Sequence, residues 1–206
     1  MFNNILRSIK KILYTPILLV KAKHISNEIH NIISDTKGHN ILDFGCGDTV
    51  LTQEIKKRFL YSKITPIDVV DTSLTSIKPE LYNGKRIPYP DKYFDSSYIV
   101  FVLHHCDDVT KTLNEIIRVT KNEIVIIEDL YDNKLEKSLV CASDWFFNRL
   151  SFSGVNVPLN FKSDKKWKEL FNTLGYDLIT DKRIYPFGNY YFVKQKMYVI
   201  KPQKKL

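Results

Sequence analysis

Residues Ile41 and Leu42 begin a short apolar run that takes in an acid, Asp43, and reaches Gly45 and Gly47 with only Cys46 between them. The chemistry such a turn serves is the holding of a nucleotide. Glycine has no Cβ, so the chain can leave a strand sharply and bring its backbone amides close to a ligand. A third glycine at position 50 would complete the dinucleotide fingerprint; Val50 stands there, which argues against NAD. Roughly 20 residues further on, where a nucleotide-binding unit places its ribose acid, Asp68 closes a second apolar run, with a solvated loop acid as the competing reading. His104 and His105 follow a third run, and one of them could serve as a base at neutral pH. Adjacent residues face opposite sides if strand geometry persists; in the competing reading one histidine caps the strand end while the other packs against Asp107 or Asp108. Glu128 and Asp129 lie at the end of another buried run and are expected at a substrate site. Glu115 and Arg118, three apart on one helical segment, are expected to pair with each other.

The elements that must position these groups alternate in type. A strand opening at Ile41 and closing on Asp43 leads to a helix over 51–60, then a strand over 63–70, a strand over 97–103, a helix over 110–119 and a strand over 123–128. Read with a helix between the strands at 63–70 and 97–103, the order is βαβαβ and then βαβ, which predicts an α/β fold with a doubly wound, mostly parallel sheet. Residues 134–175 read as helical and irregular. Two final strand-like runs, 176–184 and 190–200, are separated by so short a turn that they must be antiparallel.

The motifs on this frame resemble the class I S-adenosylmethionine-dependent methyltransferases, in their type 11-like branch. They are the glycine turn, the acid-tipped second strand, Ile87-Pro88-Tyr89-Pro90-Asp91 leading to Phe94-Asp95, Leu103-His104-His105 followed by Asp107-Asp108, and Glu115 with Arg118-Val119 and Lys121. The resemblance covers residues 38–130 and extends more thinly through Asp144-Trp145, Asn160-Phe161 and Trp167 to Phe171. It implies a seven-stranded Rossmann-like sheet with an antiparallel last strand, and S-adenosyl-L-methionine as cofactor. Gly45, Cys46 and Gly47 would pass under the methionine part, with Asp43 beside its amine. Asp68 would hold the ribose and Val69 pack on adenine. Asn83 and Gly84 stand where the family offers an acid to the adenine amino group, and Val102 lies at a ligand-facing strand end. The acceptor would sit against His104 or His105 and Glu128. The chain departs from the pattern at Thr49, which replaces a third glycine and whose hydroxyl could cap the helix, at Asn83, and at Pro66.

At 206 residues and 44% hydrophobic content the chain suits one α/β domain, residues 39–206, behind an N-terminal helical extension, residues 1–38. Cys46, Cys106 and Cys141 lie far apart, so no disulfide framework and no metal site is expected. The net charge of +8 gathers near the two ends of the chain. Without an RNA-binding signature it reads as solvated lysines, and nucleic acid is not expected as a partner. Residues 2–14 set Phe2, Ile5, Leu6, Ile9, Ile12 and Leu13 on one stripe with Arg7, Lys10 and Lys11 between them. That segment would lie on an anionic membrane or over the substrate, or else pack on the core. It is too short to span a bilayer. The sequence thus predicts a cytoplasmic methyltransferase, peripheral to a membrane if residues 2–14 engage one, with a small-molecule or lipid-like acceptor. The alternatives are a non-catalytic methyltransferase-like interaction protein and an RNA methyltransferase.

Overall fold

A computed structural model describes residues 16, 18–151, 158–185 and 193–202. The stripe at residues 2–14 and the turn at 186–189 therefore lie outside the described residues. A first helix, α1 (residues 18–30), precedes β1 (Asn40–Phe44), α2 (Val50–Arg58), β2 (Lys63–Asp68), the two-residue β3 (Glu80–Leu81), and β4 (Ser96–Val100). A single 3-10 turn (Leu103–His105) then leads to α3 (Val109–Val119), β5 (Ile124–Leu130), α4 (Lys134–Ser151), α5 (Asp164–Thr173), β6 (Tyr176–Ile184) and β7 (Lys194–Pro202). The seven strands form one sheet in the order β3-β2-β1-β4-β5-β7-β6. The first five run parallel, and β7 lies antiparallel between β5 and β6. This is the doubly wound sheet with a reversed last strand that the motifs imply.

Strand periodicity divides the core between the two sheet faces. On one face Leu42, Phe44, Ile99, Ile124 and Ile126 pack with Leu113 and Ile116 of α3 and with Trp167 and Phe171 of α5. On the other, Ile41, Val125 and Ile127 meet Ile25 and Ile29 of α1 and Ile55 of α2. Strands buried on both faces read as continuous apolar runs, which is why β1, β4 and β5 stand out in the sequence. The same alternation continues into β5's polar end. Glu128 falls on the α3 and α5 face, and Asp129 on the α1 face.

The expected helix between β2 and β4 does not form. In that stretch side chains bond to nearby backbone instead: Asp71 accepts from the Ser73 amide at 3.0 Å, and Thr75 Oγ1 from the Ile77 amide at 3.1 Å. Such local bonds compete with helix formation, and the chain runs irregularly to β3. Because β3 pairs only with Ile67 and Asp68, Pro66 lies outside that ladder, where its missing amide costs no bond.

Candidate active site

The parallel strands all end at one edge of the sheet, and the turns leaving β1, β2 and β4 enclose a cleft of about 920 Å³. Its floor is the glycine turn. Gly45 adopts φ 69°, and an added Cβ would lie 2.6 Å from the Val102 methyls, so the turn and the end of β4 touch only because no side chain intervenes. Gly47 adopts φ 52° and its missing Cβ would meet nothing within 4 Å. The two glycines therefore do different jobs: one permits packing, and the other keeps the cleft open.

Asp68, at the tip of β2, accepts from the Gly47 amide at 2.8 Å and from the Val69 amide at 2.7 Å. It locks the glycine turn to the next strand while still lining the cleft. Val69 is 49% exposed and borders the same space, an apolar face turned into a cleft rather than into the core. Asp43 is buried below the turn and accepts from the Thr52 hydroxyl at 2.6 Å. Burial pushes its carboxyl up to about 7, against the pull of that hydroxyl.

Two departures from the motif pattern behave differently from expectation. Thr49 does take the helix-capping position with φ 63°, but its hydroxyl donates to the Asp48 carbonyl and meets Thr75 Oγ1 at 2.7 Å, so it does not cap the helix. The neighbouring Asp48 carboxylate instead accepts from the Val50 amide at 2.9 Å. Asn83 was expected to offer its oxygen to the adenine amino group. That oxygen accepts from the Lys85 and Arg86 amides at 3.0 and 3.2 Å, closing a turn of its own; Gly84 and Lys85 border the cleft and Asn83 does not.

At the other end of the cleft, β4 stops at Val100 and Phe101 turns with φ 57°. Strand geometry does not persist to the histidines, which therefore do not face opposite sides; their ring centroids lie 4.0 Å apart on the 3-10 turn. His105, Cys106 and Val102 line the cleft. His104 is only 1% exposed and stands behind them, its ring stacked on Phe161 at 4.2 Å. Its Nδ1 lies 2.5 Å from Glu128 Oε2, while Glu128 Oε1 accepts from the Leu103 amide at 2.8 Å. Glu128 is 0% exposed. The three residues expected to act on the acceptor thus come together, but only His105 reaches the cleft. Burial would lower His104, yet Glu128 and Asp144 outweigh it and raise the imidazole to about 10. Burial and the positive His104 push His105 the other way. Burial also raises the Cys46 and Cys106 thiols, which disfavours the thiolate form.

Sequence reasoning missed α1 as a wall of the site. Leu18, Lys21, Ala22 and Ile25 close the cleft over Phe101, with the Lys21 ammonium 3.7 Å above the Phe101 ring. Burial lowers this ammonium against the attraction of Asp129 and Asp48. The available signal was a lysine interrupting the apolar stripe of an otherwise core-facing helix. Glu115 and Arg118 pair as expected, at 2.8 and 2.9 Å, and Arg118 also donates to the Ile87 and Tyr89 carbonyls. They brace the loop before β4, away from the cleft.

A glycine turn, an acid at the tip of the next strand and a cleft at the carboxyl ends of a doubly wound sheet make an α/β fold of the class I methyltransferase architecture. Residues 42–127 match the family model described as a methyltransferase domain, and the fold is shared with S-adenosylmethionine-dependent methyltransferases of known structure. A SAM-dependent methyltransferase from Aquifex aeolicus is 16% identical, with 88% of this chain and 92% of that one covered at a TM-score of 0.63. One from Methanosarcina mazei is 14% identical, with 86% and 98% covered at 0.62. The [4+2]-cyclase SpnF shares the fold at 0.67 with 11% identity, covering 87% of this chain and 80% of its own. In sequence the chain is similar to a malonyl-[acyl-carrier protein] O-methyltransferase of Ilyobacter polytropus, 25% identical over 149 residues. That match takes in 68% of this chain and 52% of the relative, so the chain spans about half the length of the curated relative it matches.

S-adenosylmethionine is the cofactor this family implies, and the residues present fit it. The open space above Gly47, the exposed Val69 and the two acids Asp43 and Asp68 offer, in one cleft, room for a backbone-hugging ligand, an apolar face for a flat ring, and carboxylates for an ammonium and a diol.

Proposed function

We propose that this protein transfers a methyl group from S-adenosylmethionine to a small-molecule or lipid-like acceptor. The observation that carries the proposal is the single continuous cleft, with the glycine turn and Asp68 at one end and His105, Phe101 and Lys21 at the other. When bound, the cofactor supplies a methyl group activated on sulfonium sulfur, a leaving group that needs no acid. The chain is left with alignment, exclusion of water and, for a poorly nucleophilic acceptor, removal of a proton. In this reading Asp68 holds the ribose hydroxyls, Asp43 the amino group, Gly45 to Gly47 the methionine portion, and Val69 and Gly84 the adenine. Leu18, Ala22 and Ile25 shut water out. His105, kept neutral by its charged neighbour, is the group able to take a proton from the acceptor, and His104 with Glu128 positions it. The relative's malonyl-[acyl-carrier protein] substrate supports an acceptor with an acyl chain and an oxygen to be methylated. Residues 2–14 would bring the enzyme to an anionic lipid surface; deleting them should abolish co-sedimentation with anionic vesicles, and equal pelleting would rule that role out.

The test is calorimetric titration with S-adenosylhomocysteine, followed by incubation of a cell extract with methyl-labelled cofactor and mass analysis of the labelled products. Binding and a labelled small molecule are expected. Absence of binding at millimolar ligand would overturn the enzyme reading. Binding with no labelled product from any extract would favour a non-catalytic cofactor-binding protein.

A further inference from the structure

His104, His105 and Asp144 meet where the 3-10 turn faces α4. Asp144 Oδ1 stands 3.6 Å from His104 Nε2 and 3.8 Å from His105 Nε2, and one ligating atom from each of the three residues lies within 4.8 Å of the others. The 3.6 Å separation is too long for a hydrogen bond, and His104 Nε2 is a buried nitrogen without a hydrogen-bond partner. Asp144 faces this nitrogen as an ion-pair partner without closing a hydrogen bond, and a buried polar atom without one costs free energy that a coordinated ligand would recover.

We propose that these three side chains bind a divalent transition-metal ion of the zinc or cobalt type at the acceptor end of the cleft. Two imidazole nitrogens and one carboxylate oxygen are a donor set suited to such ions. Metal–ligand bonds of about 2.0–2.2 Å place the donor atoms roughly 3–3.5 Å apart, so two of the three separations are already close to closing. Closing the third needs only an adjustment of the His105 ring at the cleft surface. Glu128 supplies the supporting arrangement that metal-binding histidines use: a carboxylate on Nδ1 keeps the proton there, so that the Nε2 proton of the cationic ring is the one a metal ion displaces. Phe161, stacked on the ring, fixes the plane. Three protein ligands leave at least one coordination position, and His105 puts it on the cleft side; with the ion bound, His105 would serve as a ligand in place of its role as a free base. A hydroxyl or carboxyl oxygen of an acceptor could take that position, as an anion or on the way to becoming one. Metal binding itself does not depend on the methyl-transfer reading, and its test uses no cofactor.

The experiment is titration of the untagged full chain with cobalt chloride, read by visible absorption, then displacement by zinc chloride. Bands of tightly coordinated cobalt saturating at one ion per chain are expected, without the near-ultraviolet thiolate transition that cysteine ligation produces. Asp144→Asn and His105→Gln should each weaken binding at least tenfold, with near-ultraviolet circular dichroism confirming that each remains folded. Either variant alone suffices if the other does not fold, since Asp144 is on the wall of the cluster rather than in the core. No cobalt band in the wild type, bands unchanged in the variants, or a thiolate transition would overturn the proposal and leave the cluster as an ion-pair network.

Discussion

Asp43 carries the most informative titration in the cleft. Its carboxyl is raised to about 7 because it is buried, so near neutral pH only about half of it is ionised, and an ammonium group prefers the ionised form. Affinity for S-adenosylhomocysteine should therefore rise with pH, by about tenfold between pH 6 and 8, as the competent fraction grows. Asp43→Asn should bind more weakly and lose that slope in the same titration. Stability of the unliganded protein goes the opposite way: between its ordinary range and about 7 the folded carboxyl holds a proton the unfolded chain has released, so this group's contribution falls as pH rises. Asp68→Ala should cost about 1.5–3 kcal/mol of binding, or about ten- to a hundredfold, by loss of bonds to a charged acceptor; calorimetry at fixed pH reads it directly. The acids and glycines were legible because their spacing is fixed by local chain geometry. Asp144 beside the histidines and Lys21 in the cleft were not, because each arrives from a helix distant in sequence, and only the packing of α4 and α1 brings them there.

The β1-to-α2 turn makes its own prediction, since its two glycines are constrained differently. Gly45→Ala must push a methyl into Val102 at a positive φ, and should destabilise the fold by roughly 2–4 kcal/mol in urea unfolding, combining overpacking with backbone strain. Gly47→Ala pays only for its φ, about 1 kcal/mol, but its methyl enters the cleft, so cofactor affinity should fall by much more than stability does. Equal effects of the two substitutions in both measurements would mean that the turn is not the cofactor floor. The strands around this turn could be read from their apolar runs because both faces are covered. The two-residue β3 could not, because so short an edge strand carries no periodicity, and the local side-chain bonds of Asp71 and Thr75 replaced a helix that the alternation of elements suggested.

At the scale of the molecule, the sheet joins two tasks on one strand. Glu128 on one face of β5 steadies the histidines, and Asp129 on the other accepts from Gln195 at 2.7 Å and faces α1. The resemblance carried this architecture as far as the reversed strand, but not that α1 would wall the site. Removing residues 16–30 should therefore weaken S-adenosylhomocysteine binding as well as lower the melting temperature, because the helix contributes Leu18, Lys21 and Ala22 to the cleft; binding that survives the deletion intact would show α1 to be packing alone. The position of β7 has a temporal consequence. It enters the sheet between β5 and β6 although it is made after both, so a chain emerging from the ribosome presents the bare edge of β5, flanked by the unfinished histidine cluster, until residues 194–202 appear. Over that interval the nascent protein is a sticky half-sheet, and the burden of keeping it single falls on translation speed and on chaperones rather than on the finished fold.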